Sequence, residues 1–210
     1  AASAWTAENS AGGICTKKEY GNYHMICEFK WGERTWGKRA SRARDSGVLV
    51  HCTGPDGAYS GIWMACIEAQ IIEGGVGDIL VVPGKDDDGQ PIPLALTADV
   101  VNDRDGENVW SAEGQPQVFT SGRINWWGRD PDWRDELGVR GPKDVEKPHG
   151  EWNRMDVICD HDRITIKVNG TVVNRGYDAV PQAGKLTIQT ELAEIFVRRW
   201  ELWPLGKAPE

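Results

Sequence analysis

Asp45, His51, Glu68 and Gln70 pair acids, an imidazole and an amide at spacings that can converge on one ligand. They lie in two apolar runs, Asp45 to Cys52 (DSGVLVHC) and Trp63 to Glu73 (WMACIEAQIIE). Each run reads as a strand, in which successive side chains point to opposite faces. In the second, Ala65, Ile67, Ala69 and Ile71 share one face, leaving Met64, Cys66, Glu68 and Gln70 on the other. In the first, Val48, Val50 and Cys52 read as core-directed, which assigns Asp45, Gly47, Leu49 and His51 to the opposite face. The intervening GPDGAYSG is rich in turn formers, so an antiparallel hairpin is the simplest connection. The four polar residues then line one open face, either as a site or as the solvated outer surface of a sheet.

The elements that position them belong to an all-β chain. After a short polar lead, Gly13 to Thr16 and Tyr23 to Trp31 flank the turn-like KKEYGN and read as a hairpin. In the second of these, Tyr23, Met25, Cys27 and Phe29 form the apolar set, and Glu28 is a second carboxylate able to share the polar face with Glu68. GERTWGKRASRARDSG sets five basic residues around Trp36 and reads as a rim, either solvated or gripping an anion. Gly74 to Gly150 is the least regular stretch, with Gly-, Asp- and Pro-rich loops between short apolar runs. Asp103, Asp105 and Glu107 alternate as calcium-loop ligands do, and Asp86 to Asp88 are clustered, but neither completes an EF-hand pattern and a solvated turn explains both. Trp126, Trp127 and Trp133 crowd NWWGRDPDWRDE; Trp127 can face a ligand or pin the loop to the core. Regular strands return from Glu151, with an Asn169-Gly170 hairpin turn. The last two, Gly184 to Glu191 and Ile195 to Leu202, place Gln189 and Arg198 at strand-interior positions. Many short strands with long connections indicate a sandwich or jelly roll, and 210 residues suit one such domain over 1–210.

Composition narrows the partners. With 24 basic and 32 acidic residues the net charge is -8, an unfavourable field for a phosphate backbone, so nucleic acid is not the expected partner. Eleven Trp exceed ordinary usage and serve either as core filler or as stacking platforms for sugar rings. No apolar run is long enough for a membrane span. The opening AASAW resembles the small residues beside a secretory cleavage site and suggests export. Five Cys is an odd number without C-x-x-C spacing, and strand parity sets Cys52 and Cys66 on opposite faces, so buried free thiols are expected unless a bulge realigns them. Nothing in the sequence speaks to oligomeric state.

Several separated motifs resemble the 3-keto-disaccharide hydrolase domain family. YGNYHMICEFK supplies Tyr20, Gly21, Tyr23, Glu28 and Phe29; Asp45-Ser46-Gly47-Val48 stands at an Asn-Ser-Gly-Val strand; CIEAQI carries Glu68 and Gln70. Gly150 to Asn153, Asn169-Gly170, Ile188-Gln189 and Val197-Arg198-Arg199 continue the match, which spans about residues 13 to 202. Asp45 replaces the usual Asn, His51 stands where Arg is frequent, and Arg199 replaces an Asn. The resemblance implies a concanavalin-like jelly roll of two antiparallel sheets with long loops, a carbohydrate ligand on the concave sheet, and secretion to the periplasm or beyond.

It also implies a reaction. A ketone at C3 acidifies the C2 hydrogen, so a carboxylate can remove it while the C1 substituent leaves, and water then adds back. On this reading Glu68 is the base, and Arg198, Gln70 and Gln189 donate to sugar or enolate oxygens, with Trp127 among the substrate-contacting residues. His51 is an acid or, with Glu68 and Asp45, a ligand to a divalent metal. Glu28 supports Glu68 as a nearby like charge. Direct displacement by two carboxylates fits less well: where laminarinase-like jelly rolls carry Glu-x-Asp-x-Glu, this strand reads Glu68-Ala-Gln70-Ile-Ile72. The alternative is a carbohydrate-binding jelly-roll module without catalysis.

Overall fold

The computed structural model describes residues 11–209, so the AASAW opening, on which the export expectation rests, lies outside the described residues. Among them the strands are β1 (Ala11–Cys15), β2 (Tyr23–Thr35), β3 (Asp45–Thr53), β4 (Ala65–Ile72), β5 (Ile79–Val82), β6 (Ala95–Asn102) and β7 (Asn108–Trp110). They continue as β8 (Gln115–Phe119), β9 (Gly122–Ile124), β10 (Asn153–Asp160), β11 (Arg163–Val168), β12 (Thr171–Val180), β13 (Lys185–Glu191) and β14 (Ala193–Trp203). The one helical element among the described residues is a single 3-10 turn at Gly37–Arg39.

Two antiparallel sheets form a jelly-roll sandwich. The first runs β1-β13-β3-β4-β5-β9, and the second β14-β2-β10-β11-β12-β6-β7, with β8 also paired to β6. Alternation builds the core between them. Met25, Cys27 and Phe29 of β2, Met155, Val157 and Cys159 of β10, and Ile164, Ile166 and Val168 of β11 face Val48, Val50, Ile67, Ala69 and Ile71, all essentially inaccessible to water. Full burial of each large aliphatic side chain contributes about 1.5–3 kcal/mol. Among the described residues no helix is long and apolar enough to cross a membrane.

Chain connectivity corrects one expectation. The run at Gly13 does not form a hairpin with Tyr23–Trp31: β1 pairs with β13 in the first sheet, whereas β2 lies between β14 and β10 in the second. KKEYGN therefore carries the chain from sheet to sheet. The outward residues of β2, Glu28 among them, consequently face away from β4, with the whole sandwich between.

The β3–β4 hairpin forms as expected, with Leu49 opposite Glu68 and Gly47 opposite Gln70. Its register slips between Val50 and Thr53, and His51 adopts φ +53. This bulge reverses the side-chain parity of the strand end. Cys52 turns outward to join Leu49, Met64, Cys66 and Val82 in a second apolar cluster, so Cys52 and Cys66 share a face after all, both as free thiols. The same close crossing explains Gly184, where a Cβ would lie 2.5 Å from the His51 carbonyl carbon.

His51 turns the other way. Its ring is fully buried beside Tyr23 in a T-shaped contact at 6.3 Å between ring centroids, and neither ring nitrogen has a hydrogen-bond partner. The expectation that His51 faces the polar surface is therefore corrected: the bulge sends it into the core.

Burial pushes the His51 pKa down from 6.5 to about 4, so the folded chain keeps it neutral where the unfolded chain protonates it. Stability from this group is complete above about pH 6.5 and is lost as pH falls through about 4. A shift of that size bounds the loss at roughly 3 kcal/mol. Urea denaturation of wild type and His51→Leu at pH 7 and 4.5 should show the variant losing less stability on acidification; equal losses would place the ring in contact with water.

Candidate functional site

The outer face of β4 opens into a cavity of about 360 Å³, within the range of small-molecule sites. Four side chains expected at the site meet there: Asp45, Glu68 and Gln70, named from strand parity, and Gln189, named from the motif resemblance. The pleat directs Glu68 and Gln70 outward from β4, Asp45 from the start of β3, and Gln189 from β13 on the other flank of β3. Gly47 lies between them. A Cβ on it would sit 2.2 Å from Glu68 Oε1 and 3.1 Å from Gln189 Oε1, so its missing side chain is the space into which both reach.

Two further charged residues join the lining, Arg123 of β9 and Glu191 at the end of β13, while Arg39 reaches over from the 3-10 turn to Asp45 and Glu191 behind it. Gln70 Nε2 donates to Asp45 Oδ1 at 3.2 Å, and Arg39 binds the other Asp45 oxygen. Arg39 also lies 3.6 Å from Glu191 and 3.2 Å from Asp135. Arg123 is held from behind by Asp78, a fully buried carboxylate 2.7 Å away. Asp78 in turn accepts from Arg129 at 2.7 Å and from the Trp126 amide at 2.8 Å, and Arg129 stacks 3.8 Å above Trp133. Leu49, Leu80 and Val82 supply the apolar floor, and half-buried Trp63 and exposed Tyr59 stand at its side.

Three carboxyl groups thus share a desolvated space with two guanidiniums. Burial, and then the neighbouring charges of Asp45 and Glu191, push the Glu68 pKa well above the carboxylate range, with Arg123 opposing. Asp45 is raised to about 8, first by burial and next by Glu191, against the pull of Arg39. Glu68 Oε1 and Gln70 Oε1 are buried without hydrogen-bond partners, leaving an acceptor from each aimed into the cavity wall. The arrangement can exchange a proton at Glu68, hold a second at Asp45, and offer a cation to developing negative charge.

Four expected site residues lie elsewhere. Glu28 and Arg198 sit on the outer face of the second sheet, joined to each other by Arg198 Nε donating to Glu28 Oε2 at 2.6 Å. Burial raises the Glu28 pKa, but Arg198 and Arg199 outweigh it and hold the carboxyl below its usual range. Arg198 also stacks 4.4 Å from the Trp152 ring centroid. Trp127 does not line the cavity: its indole N–H donates to the Val172 carbonyl at 2.9 Å and its ring packs edge-on against buried Trp126, which is the loop-pinning role. His51 points into the core, so Glu68, His51 and Asp45 do not converge as metal ligands. Among the described residues no group of three or more His, Cys, Asp or Glu is placed to hold a metal ion. Asp86 and Asp103 each accept backbone N–H groups two and four residues on and so close their own turns.

Glu191 was legible as the next same-face residue after Gln189, and Arg39 belongs to the basic rim. Arg123 lies in a three-residue strand too short to carry a periodic signal.

Residues 4–202 match the 3-keto-alpha-glucoside-1,2-lyase-like domain. Among solved structures, the chain is similar to a protein of Parabacteroides distasonis named "Putative glycosyl hydrolase", at 18% identity and TM-score 0.50 over 94% of this chain and 85% of that one. It is also similar to the carbohydrate binding module CBM66 of Bacillus subtilis, at 10% identity and TM-score 0.50 over 94% and 83% of the two chains. At these identities the likeness establishes the jelly-roll fold alone. No curated protein matches the chain.

The raised Glu68 pKa has a sign that can be measured. The folded state holds this proton more tightly than the unfolded chain, so its contribution to stability is complete below about pH 4 and is lost as pH rises through the elevated folded value. Glu68→Gln removes that loss. The variant should gain stability over wild type as pH goes from 5 to 8, read from denaturant midpoints; a constant difference would mean that Glu68 is not desolvated.

Proposed function

Since the chain belongs to the 3-keto-alpha-glucoside-1,2-lyase-like domain family, we propose that the β4 cavity cleaves the C1–O bond of glycosides already oxidised to a ketone at C3. The observation that supports this most directly is Glu68, a buried carboxyl with an unpartnered oxygen in a cavity that also holds Arg123. Burial and neighbouring acids make its conjugate base stronger than an ordinary carboxylate, as abstraction of a carbon-bound proton requires.

Glu68 takes the C2 proton, and the electron pair of that bond moves into an enolate on the C3 oxygen. Arg123, kept in place by Asp78, donates to that oxygen. The enolate then re-forms the ketone as its electrons make a C1–C2 double bond and the C1–O bond breaks. The departing oxygen takes a proton from Asp45, whose pKa is raised to about 8. Water then adds across the new double bond: its hydroxyl goes to C1, its proton restores Asp45, and Glu68 returns the abstracted proton to C2, which makes the net reaction a hydrolysis. Gln70 and Gln189 orient sugar hydroxyls, and Trp63 and Tyr59 offer faces to the ring or its aglycone. The same two aromatics favour a second reading, in which the cavity binds a saccharide without turning it over. Export of the chain, with a saccharide ligand met outside the cytoplasm, accompanies either reading.

The measurement is turnover of a 3-keto-glucoside against its parent glucoside by wild type, Glu68→Gln and Arg123→Gln. Wild type should cleave only the ketone, and Glu68→Gln should lose about 10²-fold or more in kcat. Arg123→Gln should lower kcat more than it raises KM, because its partner charge develops only in the transition state. Undiminished activity in Glu68→Gln removes the base assignment. Cleavage of the parent glucoside overturns the elimination route, and binding of the ketone without turnover selects the second reading.

A further inference from the structure

The outer face of the second sheet carries a separate cavity of about 500 Å³, on the far side of the sandwich from Glu68. Asp99 of β6, Trp110 of β7, Arg163 and Thr165 of β11, and Arg175 and Tyr177 of β12 line it. The β11–β12 ladder sets Thr165 opposite Arg175 and Ile164 opposite Gly176. Parity therefore sends Ile164 and Ile166 into the core and leaves Arg163, Thr165, Arg175 and Tyr177 together outside.

The two guanidiniums stand on a diagonal of one ladder, where like charges repel. Three other arginines of this sheet are neutralised: Arg154 by Asp156, and Arg198 and Arg199 by Glu28. Among the described residues, neither Arg163 nor Arg175 reaches a carboxylate. Each instead lies 6.0 Å from an aromatic centroid, Arg163 by Tyr177 and Arg175 by Trp110, a contact at the outer limit of cation–π attraction. Asp99 is engaged by the Tyr177 hydroxyl, which donates to it at 2.8 Å and so fixes the tyrosine ring at the edge of the groove. In a chain of net charge -8, the lining of this aromatic-walled groove thus sets two guanidiniums against the single carboxylate of Asp99.

We propose that this groove is a second saccharide site, selective for a sugar unit that bears a carboxylate. Trp110 and Tyr177 present faces to the apolar side of a pyranose ring, the two guanidiniums take its carboxylate in the paired geometry suited to that group, and Thr165 and Asp99 meet hydroxyls. A neutral sugar would leave both cations unpaired, and a polynucleotide would meet both Asp99 and the acidic field of the whole chain. The site is independent of the Glu68 chemistry, and an acidic polysaccharide held here leaves the first cavity open.

The test follows the arginine side-chain N–H and tryptophan indole resonances of the whole chain during titration with a galacturonate trisaccharide, maltotriose and a thymidine hexanucleotide. Resonances of Arg163, Arg175 and Trp110 should move with the galacturonate at an affinity at least tenfold above that for maltotriose. Arg163→Ala and Arg175→Ala, both on exposed side chains, should each weaken it at least tenfold, while Glu68→Gln leaves it unchanged. Equal affinity for maltotriose, tighter binding of the hexanucleotide, unmoved resonances, or affinity that survives both arginine substitutions would each overturn the proposal. Loss of galacturonate binding in Glu68→Gln alone would assign the ligand to the first cavity and overturn it equally.

Discussion

β4 is buried on both faces, and most of the site follows from that constraint. Every residue from Ala65 to Ile72 is shielded from water, one set by the second sheet and the other by the loops that close the cavity. A strand with a single packed face would place Glu68 and Gln70 in solvent, where a carboxylate keeps its ordinary pKa. Here the same alternation delivers them into a low-dielectric pocket. Desolvation, the largest influence on Glu68, is therefore a consequence of how the sheet is covered.

Such a strand cannot supply its own counter-charges, because neighbouring same-face positions are taken up by the apolar floor. The cations come from distant segments: Arg39 from the turn before β3, and Arg123 from β9 at the sheet edge. Each is tied at its other side, Arg39 to Asp135 and Arg123 to Asp78. Tethering matters because a guanidinium free to pair fully with Glu68 would quench it as a base. With Asp78 sharing Arg123, the Glu68 oxygen stays unpartnered while the positive charge remains close.

How far the site could be read from sequence depends on whether period-two alternation persisted. Through Gly47–Leu49, Ala65–Ile72 and the end of β13 it did: Asp45, Glu68 and Gln70 were placed together from parity, and Gln189, at a strand-interior position, joined them through the motif resemblance. At His51 one bulge inverted the rule; the local sequence VHCTG marks no such slip, and the bulged backbone lies against Gly184, more than a hundred residues away. Glu28 and Arg198 have correct parity but belong to the other sheet, an assignment that depends on which strands pair over long range. Motif resemblance carried them towards the site, whereas pairing of β2 with β14 made them each other's partners. The sandwich itself was legible because turn residues and apolar alternation agree along most of the chain.

The bulge that removed His51 from the site also has a constructive effect. Without it Cys52 would point into the sandwich and the outward position would hold an imidazole, a group that carries charge and hydrogen-bonds water. With it, Cys52 packs against Leu49, Met64, Cys66 and Val82, extending the apolar floor along the flank of Glu68. Burial drives the Cys66 thiol well above its ordinary pKa, so Cys66 stays a neutral thiol and brings no charge to this flank. The polar wall then lies on one side, with Arg123, Arg39 and the two glutamines, and the dry wall on the other. A ring bound between them would meet hydrogen-bonding groups along one edge and the aliphatic surface of Leu49, Leu80 and Val82 along the other. That asymmetry suits a pyranose, whose hydroxyls and C–H groups are likewise segregated, and it arises from a single extra residue in one strand.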